Sequence, residues 1–234
     1  MLHSGYGRQI MNPAITQEVS ATLRPIPRLC NRQVRPQLGI SASVKCLRMM
    51  KAIRIAWGVT GSGDKMGDVL DAMIQLQEDL GARVDVFVSK AGRQVLHWYK
   101  LWDRLNESFA KVKTEIDANT PFVAGPLQVG KYDVLVVAPL TANSAAKIAC
   151  GIEDTLITNA VAQTLKGKTP VILFPVDQSA GETETVTPEG IHIKIRTRTV
   201  DLENVGRLRS MEGVTVVGSM GELADRIKDT VGAT

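Results

Sequence analysis

Residues 132–144 read YDVLVVAPLTANS. The first seven are continuous, apolar and rich in β-branched side chains, as a strand covered on both faces must be. Pro139 has no amide hydrogen to give a ladder and is expected to end that strand. Thr141, Ala142, Asn143 and Ser144 then lead at once into a helical stretch over 142–150. A buried strand that turns directly into a helix is half of a βαβ unit.

The same alternation runs through the chain on both sides. Residues 52–57 (AIRIAW) are a short apolar run that stops at Gly58-Val59-Thr60-Gly61-Ser62-Gly63. Val69, Met73, Leu76 and Leu80 follow at helical spacing, and Gly81 stops the helix. Residues 84–88 (VDVFV) predict a second strand. Residues 91–105 predict a helix with Val95, Trp98, Leu101, Trp102 and Leu105 on one side. A helix over 155–165, a buried strand over 169–174 closed by Pro175, and a short strand over 214–217 come next. Ser219 and Glu222 form a capping box for a final helix. Strands alternating with helices imply right-handed crossovers and an open parallel α/β sheet flanked by helices, Rossmann-like or flavodoxin-like in three layers. Ligands of such sheets lie beyond the carboxyl ends of the strands. Chemistry is therefore expected in the loops after Trp57, Val88, Ala138 and Phe174.

Composition narrows the function classes. The chain has 234 residues, 44% hydrophobic and 22% charged, ordinary for a globular protein. It holds no run of about 18 apolar residues, so no membrane partner is expected. Residues 1–49 carry seven basic side chains (Arg8, Arg24, Arg28, Arg32, Arg35, Lys45, Arg48) against Glu18 alone, a net of +6. The whole chain is +4, which leaves −2 for residues 50–234, and nothing there invites nucleic acid. Cys30, Cys46 and Cys150 are an odd set without CxxC spacing, which argues against disulfides and zinc and for a reducing, cytoplasmic setting. His3, His97 and His192 are too scattered to suggest a metal. Residues 1–49 mix Pro13, Pro25, Pro27 and Pro36 with arginines and lack apolar periodicity. They read as a disordered extension, with a transit peptide or a true start at Met49 or Met50 as the two sources. Residues 50–234 are expected to form a single α/β domain.

Three loops carry the candidate chemistry. Gly61-Ser62-Gly63 joins a strand to a helix, where glycines admit an anion to free amides. It is neither a Walker loop nor GxGxxG, and a tight turn capped by Ser62 reads equally well. Ser89 follows the second strand and either reaches the same anion or caps the next helix. Pro139, Leu140, Thr141, Ala142, Asn143 and Ser144 gather hydroxyl, amide and backbone donors where the sheet opens, which marks a ligand loop. His97, Trp98 and Trp102 at helical spacing read as packing, and Cys150 reads as a buried thiol. Lys194, Arg196 and Arg198 alternate with Ile193 and Ile195, so a strand puts the bases on one face, either solvated or turned to an acidic substrate or phosphate.

Residues 138–160 (APLTANSAAKIACGIEDTLITNA) resemble the central motif of the homo-oligomeric flavin-containing cysteine decarboxylases. That family's Pro-Ala-Ser-Ala-Asn-Thr stands here as Pro139-Leu140-Thr141-Ala142-Asn143-Ser144, followed by Ala146-Lys147-Ile148-Ala149, Gly151, Asp154 and Leu156. The resemblance implies FMN, with its phosphate at Gly61, Ser62, Gly63 and Ser89 and its ring beside residues 139–144. It also implies a homo-oligomer built of trimers, with flavin between subunits. Two departures bear on the reaction. The family's catalytic histidine has no counterpart in residues 119–128 (NTPFVAGPLQ), and its Pro-x-Met-Asn clamp becomes Pro175-Val176-Asp177-Gln178. Thr187-Pro188-Glu189-Gly190, residues 193–198 and residues 200–205 resemble instead the archaeoflavoproteins and the acceptor-type dihydromethanopterin reductases. That branch implies reduction of dihydromethanopterin, or a related pterin, in one-carbon metabolism, with Asn143 at the reacting centre. Electrons would come from reduced flavin, NAD(P)H or a redox protein. A decarboxylase of cysteine-type substrates, a flavin prenyltransferase relative and a non-catalytic electron carrier are the alternatives. His97 is the sole candidate for the missing base of a lyase.

Because residues 1–49 lack the periodic apolar side chains that bury area, their deletion should leave the melting temperature and flavin content unchanged. An insoluble or colourless truncated protein would assign them a structural role.

Overall fold

The computed structural model describes residues 52–232, so the expectation for residues 1–49 lies outside the described residues. In chain order it forms β1 (Arg54–Val59), α1 (Met66–Leu80), β2 (Arg83–Val88), α2 (Lys90–Trp98), α3 (Trp102–Ser108), β3 (Lys111–Thr114), α4 (Ala124–Gln128) and β4 (Val134–Leu140). There follow α5 (Ala142–Ala149), α6 (Leu156–Leu165), β5 (Val171–Pro175), β6 (Glu182–Val186), β7 (His192–Arg196), α7 (Thr199–Arg209), β8 (Val214–Val216) and α8 (Met220–Gly232). Six strands make one parallel sheet in the order β3-β2-β1-β4-β5-β8, and β6 and β7 pair as a separate antiparallel hairpin. This is the three-layer parallel α/β architecture that the alternation predicts.

Each strand's two-residue period divides its side chains between two cores. Ile55, Trp57, Val59, Val84, Val86 and Val88 face a layer that includes α1 and α8. Ala56, Phe87, Leu135, Val137 and Leu173 face α4, α5 and α6. All seven residues of β4 are buried, as the central strand between the two layers requires.

Four local readings change. Pro139 does not end β4: the strand runs on to Leu140, with its register against β5 shifting between Val137 and Leu140. The helix expected over 91–105 breaks into α2 and α3, because Lys100 takes a left-handed conformation at φ 56° and Leu101 donates back to the Leu96 carbonyl at 2.8 Å. Trp98 is thereby left 57% exposed, away from the packing position its spacing predicts. His97 stacks on Trp102 with ring centres 4.9 Å apart. β3, α4, the hairpin and α7 are additional elements; the hairpin is almost wholly exposed and the others are largely exposed or half-buried, so the apolar periodicity that reveals buried elements is weak in them.

The edge strand β3 is held by charge. Asp85 on β2 is buried and accepts from the Tyr132 hydroxyl at 2.7 Å and Arg83 at 3.1 Å, while Lys111 of β3 pairs with it directly. Burial pushes the Asp85 carboxyl up, but its hydrogen bonds from Lys111, Tyr132 and Arg83 outweigh that and hold it below its ordinary value.

The chain leaves β1 toward β2 and β3, then crosses back to add β4, β5 and β8 on the other side. Where the two directions part, the carboxyl ends of β1 and β4 are sewn together at Thr60, whose amide donates to the Pro139 carbonyl at 3.3 Å. The Thr60 hydroxyl donates to the Pro139 carbonyl at 2.7 Å and accepts from the Thr141 amide at 2.9 Å. Trp57 adds a bond from its indole N–H to the Ala138 carbonyl at 2.8 Å. Thr60→Val keeps the shape but strips both partners of the hydroxyl, and should cost about 1–3 kcal/mol in urea unfolding. Thr60→Ser should recover most of it; equal losses for both variants would assign the effect to packing.

Candidate functional site

The crevice between β1 and β4 opens into a cavity of about 510 Å³, within the range of small-molecule sites. One side is the loop Gly61-Ser62-Gly63-Asp64. The facing side is Thr141, Ala142 and Asn143, where β4 turns into α5. Val176 and Asp177, just past β5, close a third side, and α2 contributes Val95, Trp98 and Tyr99. Thr183, Thr185, Ile193 and Ile195 of the hairpin complete the enclosure.

The loop after β1 needs its glycines. A Cβ on Gly61 would lie 2.6 Å from the Ala91 Cβ and 2.9 Å from the Ala91 carbonyl carbon. A Cβ on Gly63 would lie 2.5 Å from the Tyr99 hydroxyl oxygen. The bare backbone thus sits hard against the first turn of α2 at Gly61 and against the tip of the Tyr99 side chain at Gly63. Among the described residues, no group accepts a hydrogen bond from the Gly61 or Gly63 amide. Ser62 keeps its hydroxyl in the loop, donating to the Asp64 carbonyl at 3.2 Å. Tyr99 donates to the Val186 carbonyl at 3.0 Å and so links this loop to the hairpin. Burial, reinforced by Glu189 and Asp64, raises the Tyr99 hydroxyl above its usual value.

The facing loop is set by a cap. The Thr141 hydroxyl accepts from the Ser144 amide at 3.3 Å and thereby starts α5, which leaves Asn143 exposed on the cavity wall. No lysine, arginine or histidine lines the cavity among the described residues, whereas Asp64 and Asp177 both do. An anion there would be received by backbone amides and hydroxyls, in the manner of loops at helix N-termini.

Of the residues expected to hold a cofactor, the structure brings together Gly61, Ser62, Gly63, Thr141, Ala142 and Asn143. Pro139 and Leu140 are buried within β4 and support the loop from behind. Ser144 is turned into the cap with Thr141. Ser89 stands away from the cavity lining, its side chain accepting from the Gly92 amide at 2.9 Å as the N-cap of α2. His97 does not line the cavity either. Cys150 is exposed, against the expectation of a buried thiol, because α5 ends at Ala149. In β7 the basic residues alternate as expected, with Ile193 and Ile195 turned to the cavity. Arg198 belongs to no strand and pairs with Asp201 at 2.7 Å at the start of α7. Asp64, Trp98, Tyr99, Asp177 and β6 are site components that the sequence reading does not assign; for β7 it offers the basic face to a ligand, whereas the isoleucine face lines the cavity. The alternation of Thr183 with Thr185 and of Ile193 with Ile195 was the available signal for the hairpin. Among the described residues, no helix is long and apolar enough to cross a membrane.

The arrangement matches known proteins. The family model Flavoprotein matches residues 43–233. An uncharacterized protein of Methanocaldococcus jannaschii is 49% identical over 165 residues, covering 70% of this chain and 89% of that one. A dihydromethanopterin reductase (acceptor) of the same organism is 36% identical over 61% of this chain, and that of Methanosarcina mazei is 40% identical over 53%. The matches span 61% and 55% of those two reductases' own lengths. Burkholderia xenovorans DmrB in complex with FMN, described as a cubic protein cage for redox transfer, superposes with a TM-score of 0.69. It is 34% identical, over 79% of this chain and 98% of that one.

Gly61→Ala should lower stability by about 1–3 kcal/mol, the range for overpacking. Adding Ala91→Gly should return part of it only, since the Ala91 carbonyl carbon stays within 2.9 Å of the new Cβ. Full rescue in thermal melts would show that the side-chain contact alone excludes the methyl group.

Proposed function

This chain belongs to the Flavoprotein family, and we propose that it is an FMN-dependent reductase of dihydromethanopterin or a closely related pterin. The observation that carries the reading is the cavity at the β1–β4 crevice: a glycine loop with open amides at one side, Asn143 at the other, and apolar walls between them. Those features suit a ligand with a phosphate at one end and a flat ring at the other. We assign the phosphate to Gly61, Ser62 and Gly63 and the ring to the loop of Thr141, Ala142 and Asn143, with Pro139, Leu140 and Ser144 behind it. Ser89 acts on the phosphate side through α2, whose first turn packs on Gly61. The relatives named as acceptor-type dihydromethanopterin reductases and the FMN complex of DmrB support the cofactor and the redox class.

Bound FMN supplies storage and delivery of electrons, the step that side chains cannot perform. The protein's part is to bind, orient and exclude water. No histidine is available in the cavity lining for the base of a cysteine decarboxylase, which weighs against the lyase alternative. A homo-oligomer built of trimers follows from the same reading: Trp98, Ile193 and Ile195 at the cavity are 57%, 41% and 43% exposed, and a second copy is the natural cover for them. The donor is reduced flavin, NAD(P)H or a redox protein, and the reaction belongs to one-carbon metabolism in the cytoplasm.

The purified protein should release FMN on denaturation and, once reduced, convert the dihydropterin to its tetrahydro form. FAD or NADP in the extract, or a flavin that never reoxidises with pterin, overturns the reading. Asn143→Asp puts a negative charge beside a ring that gains electrons. The flavin midpoint potential should fall, on the order of 30 mV, with FMN retained. An unchanged potential would remove Asn143 from the ring's surroundings.

A further inference from the structure

Asp177 occupies the place where the resembling decarboxylases carry the methionine of their clamp, and it lies on the cavity wall beside Ala142 and Asn143. It stands at the start of α5, where the Ala142 amide favours its ionised form. The following residue is turned away: Gln178 Nε2 donates to the carbonyls of Pro175 at 2.8 Å and Val217 at 3.0 Å, and its Oε1 accepts from Arg209 at 2.9 Å. The end of β5 therefore offers the cavity one ionisable group.

Its surroundings favour the protonated form. Asp201 of α7 and Asp64 of the glycine loop place negative charge near it. The neighbouring cation, Arg198, is already engaged by Asp201, with its Nε at 2.9 Å and a guanidinium nitrogen at 2.7 Å. Burial, then Asp201 and Asp64, raise the Asp177 carboxyl above its ordinary value, against the Ala142 amide and Arg198. A carboxyl held up in this way keeps its proton closer to neutral pH, as a general acid must. Tyr99, the other cavity hydroxyl acid, gives its hydrogen to the Val186 carbonyl and is itself raised.

We propose that Asp177 is the proton donor to the acceptor in the reductive step, an assignment that rests on the reductase reading above. Reduction of a C=N bond adds a hydride equivalent to carbon and a proton to nitrogen. Reduced flavin, when bound, would supply the electron pair with its hydrogen; Asp177 gives the proton and becomes a carboxylate. Water at the open side of the cavity then returns a proton to it.

The test uses the full-length, flavin-loaded protein and two variants. Asp177→Asn keeps the size of the side chain but has no acid proton. Asp201→Asn removes the neighbouring negative charge and frees Arg198. Infrared titration of the wild type should show a carboxylic acid band that persists above the ordinary range of aspartate, is absent from Asp177→Asn, and titrates at lower pH in Asp201→Asn. The wild-type rate with dihydropterin should fall as pH rises through that same titration. Asp177→Asn should be slower on the order of 100-fold and lack that limb, at equal flavin content and with unchanged reduction of ferricyanide, which takes no proton. Asp201→Asn should move the limb to lower pH. An active wild type matched by an equally fast Asp177→Asn variant, or an Asp177 that titrates in the ordinary range, overturns the assignment. Flavin-loaded protein that never reduces dihydropterin overturns the reductase reading and this assignment with it.

Discussion

One hydroxyl ties the two sides of the crevice to each other. β1 and β4 are neighbours in the sheet, but the chain departs from them in opposite directions, and past Gly58 and Val137 the paired register gives way to the Thr60 amide on the Pro139 carbonyl and the Trp57 indole on the Ala138 carbonyl. Thr60 replaces the missing rungs, giving Pro139 a donor and Thr141 an acceptor. Thr60 is buried, so neither bond competes with water, and the position of the Thr141 cap follows from it. From that cap follow the direction of α5 and the placing of Ala142 and Asn143 beside Asp177. The loop on the other side is fixed by contact instead of hydrogen bonding, with Gly61 pressed on the first turn of α2 and Gly63 on the tip of the Tyr99 side chain.

The charge pattern of the cavity sets what that geometry can do. Two carboxyls and no cation line it among the described residues. Lysine or arginine at a phosphate site adds long-range attraction, whereas amides act only at contact distance. An anion received here would depend on fit to the glycine loop. The cation-rich cluster lies elsewhere, around Asp85, where Arg54, Arg83 and Lys111 secure the edge of the sheet. The two electrostatic environments use carboxylates in opposite senses: Asp85 is held ionised by its donors, and Asp177 is held up by burial and its acidic neighbours.

The sheet was legible because burial on two faces leaves a dense apolar run, and β1, β2, β4 and β5 all have one. The crevice was legible for a related reason: glycines and hydroxyls crowd where a strand meets a helix. What escaped lies where that coupling of burial to sequence weakens. β6 and β7 are exposed on most of their surface, so their alternation reads as a solvated ribbon until the cavity gives Ile193 and Ile195 something to face. Trp98 obeys helical spacing yet stays exposed on the cavity wall, because α2 ends at Trp98 and the chain breaks at Lys100. Ser89 illustrates the limit of residue type: a serine after a strand serves a helix N-terminus or a ligand equally well, and here its oxygen is on the Gly92 amide. Pro139 was read from its missing amide alone, but a strand needs that amide only where a partner carbonyl waits for it.

The bond between Thr60 and Pro139 joins residues 79 apart in sequence. Closing a flexible loop of that length costs roughly 4 kcal/mol of chain entropy beyond a constant. No local preference of the glycine loop or of α5 can offset this before β4 docks. The first half of the sheet, β1 to β3, can assemble from near neighbours, but it has no crevice until residues 134–141 have been synthesised and paired. Ligand binding is therefore acquired in a single late step of folding, and a partly folded chain that looks native over its first three strands has no affinity to contribute.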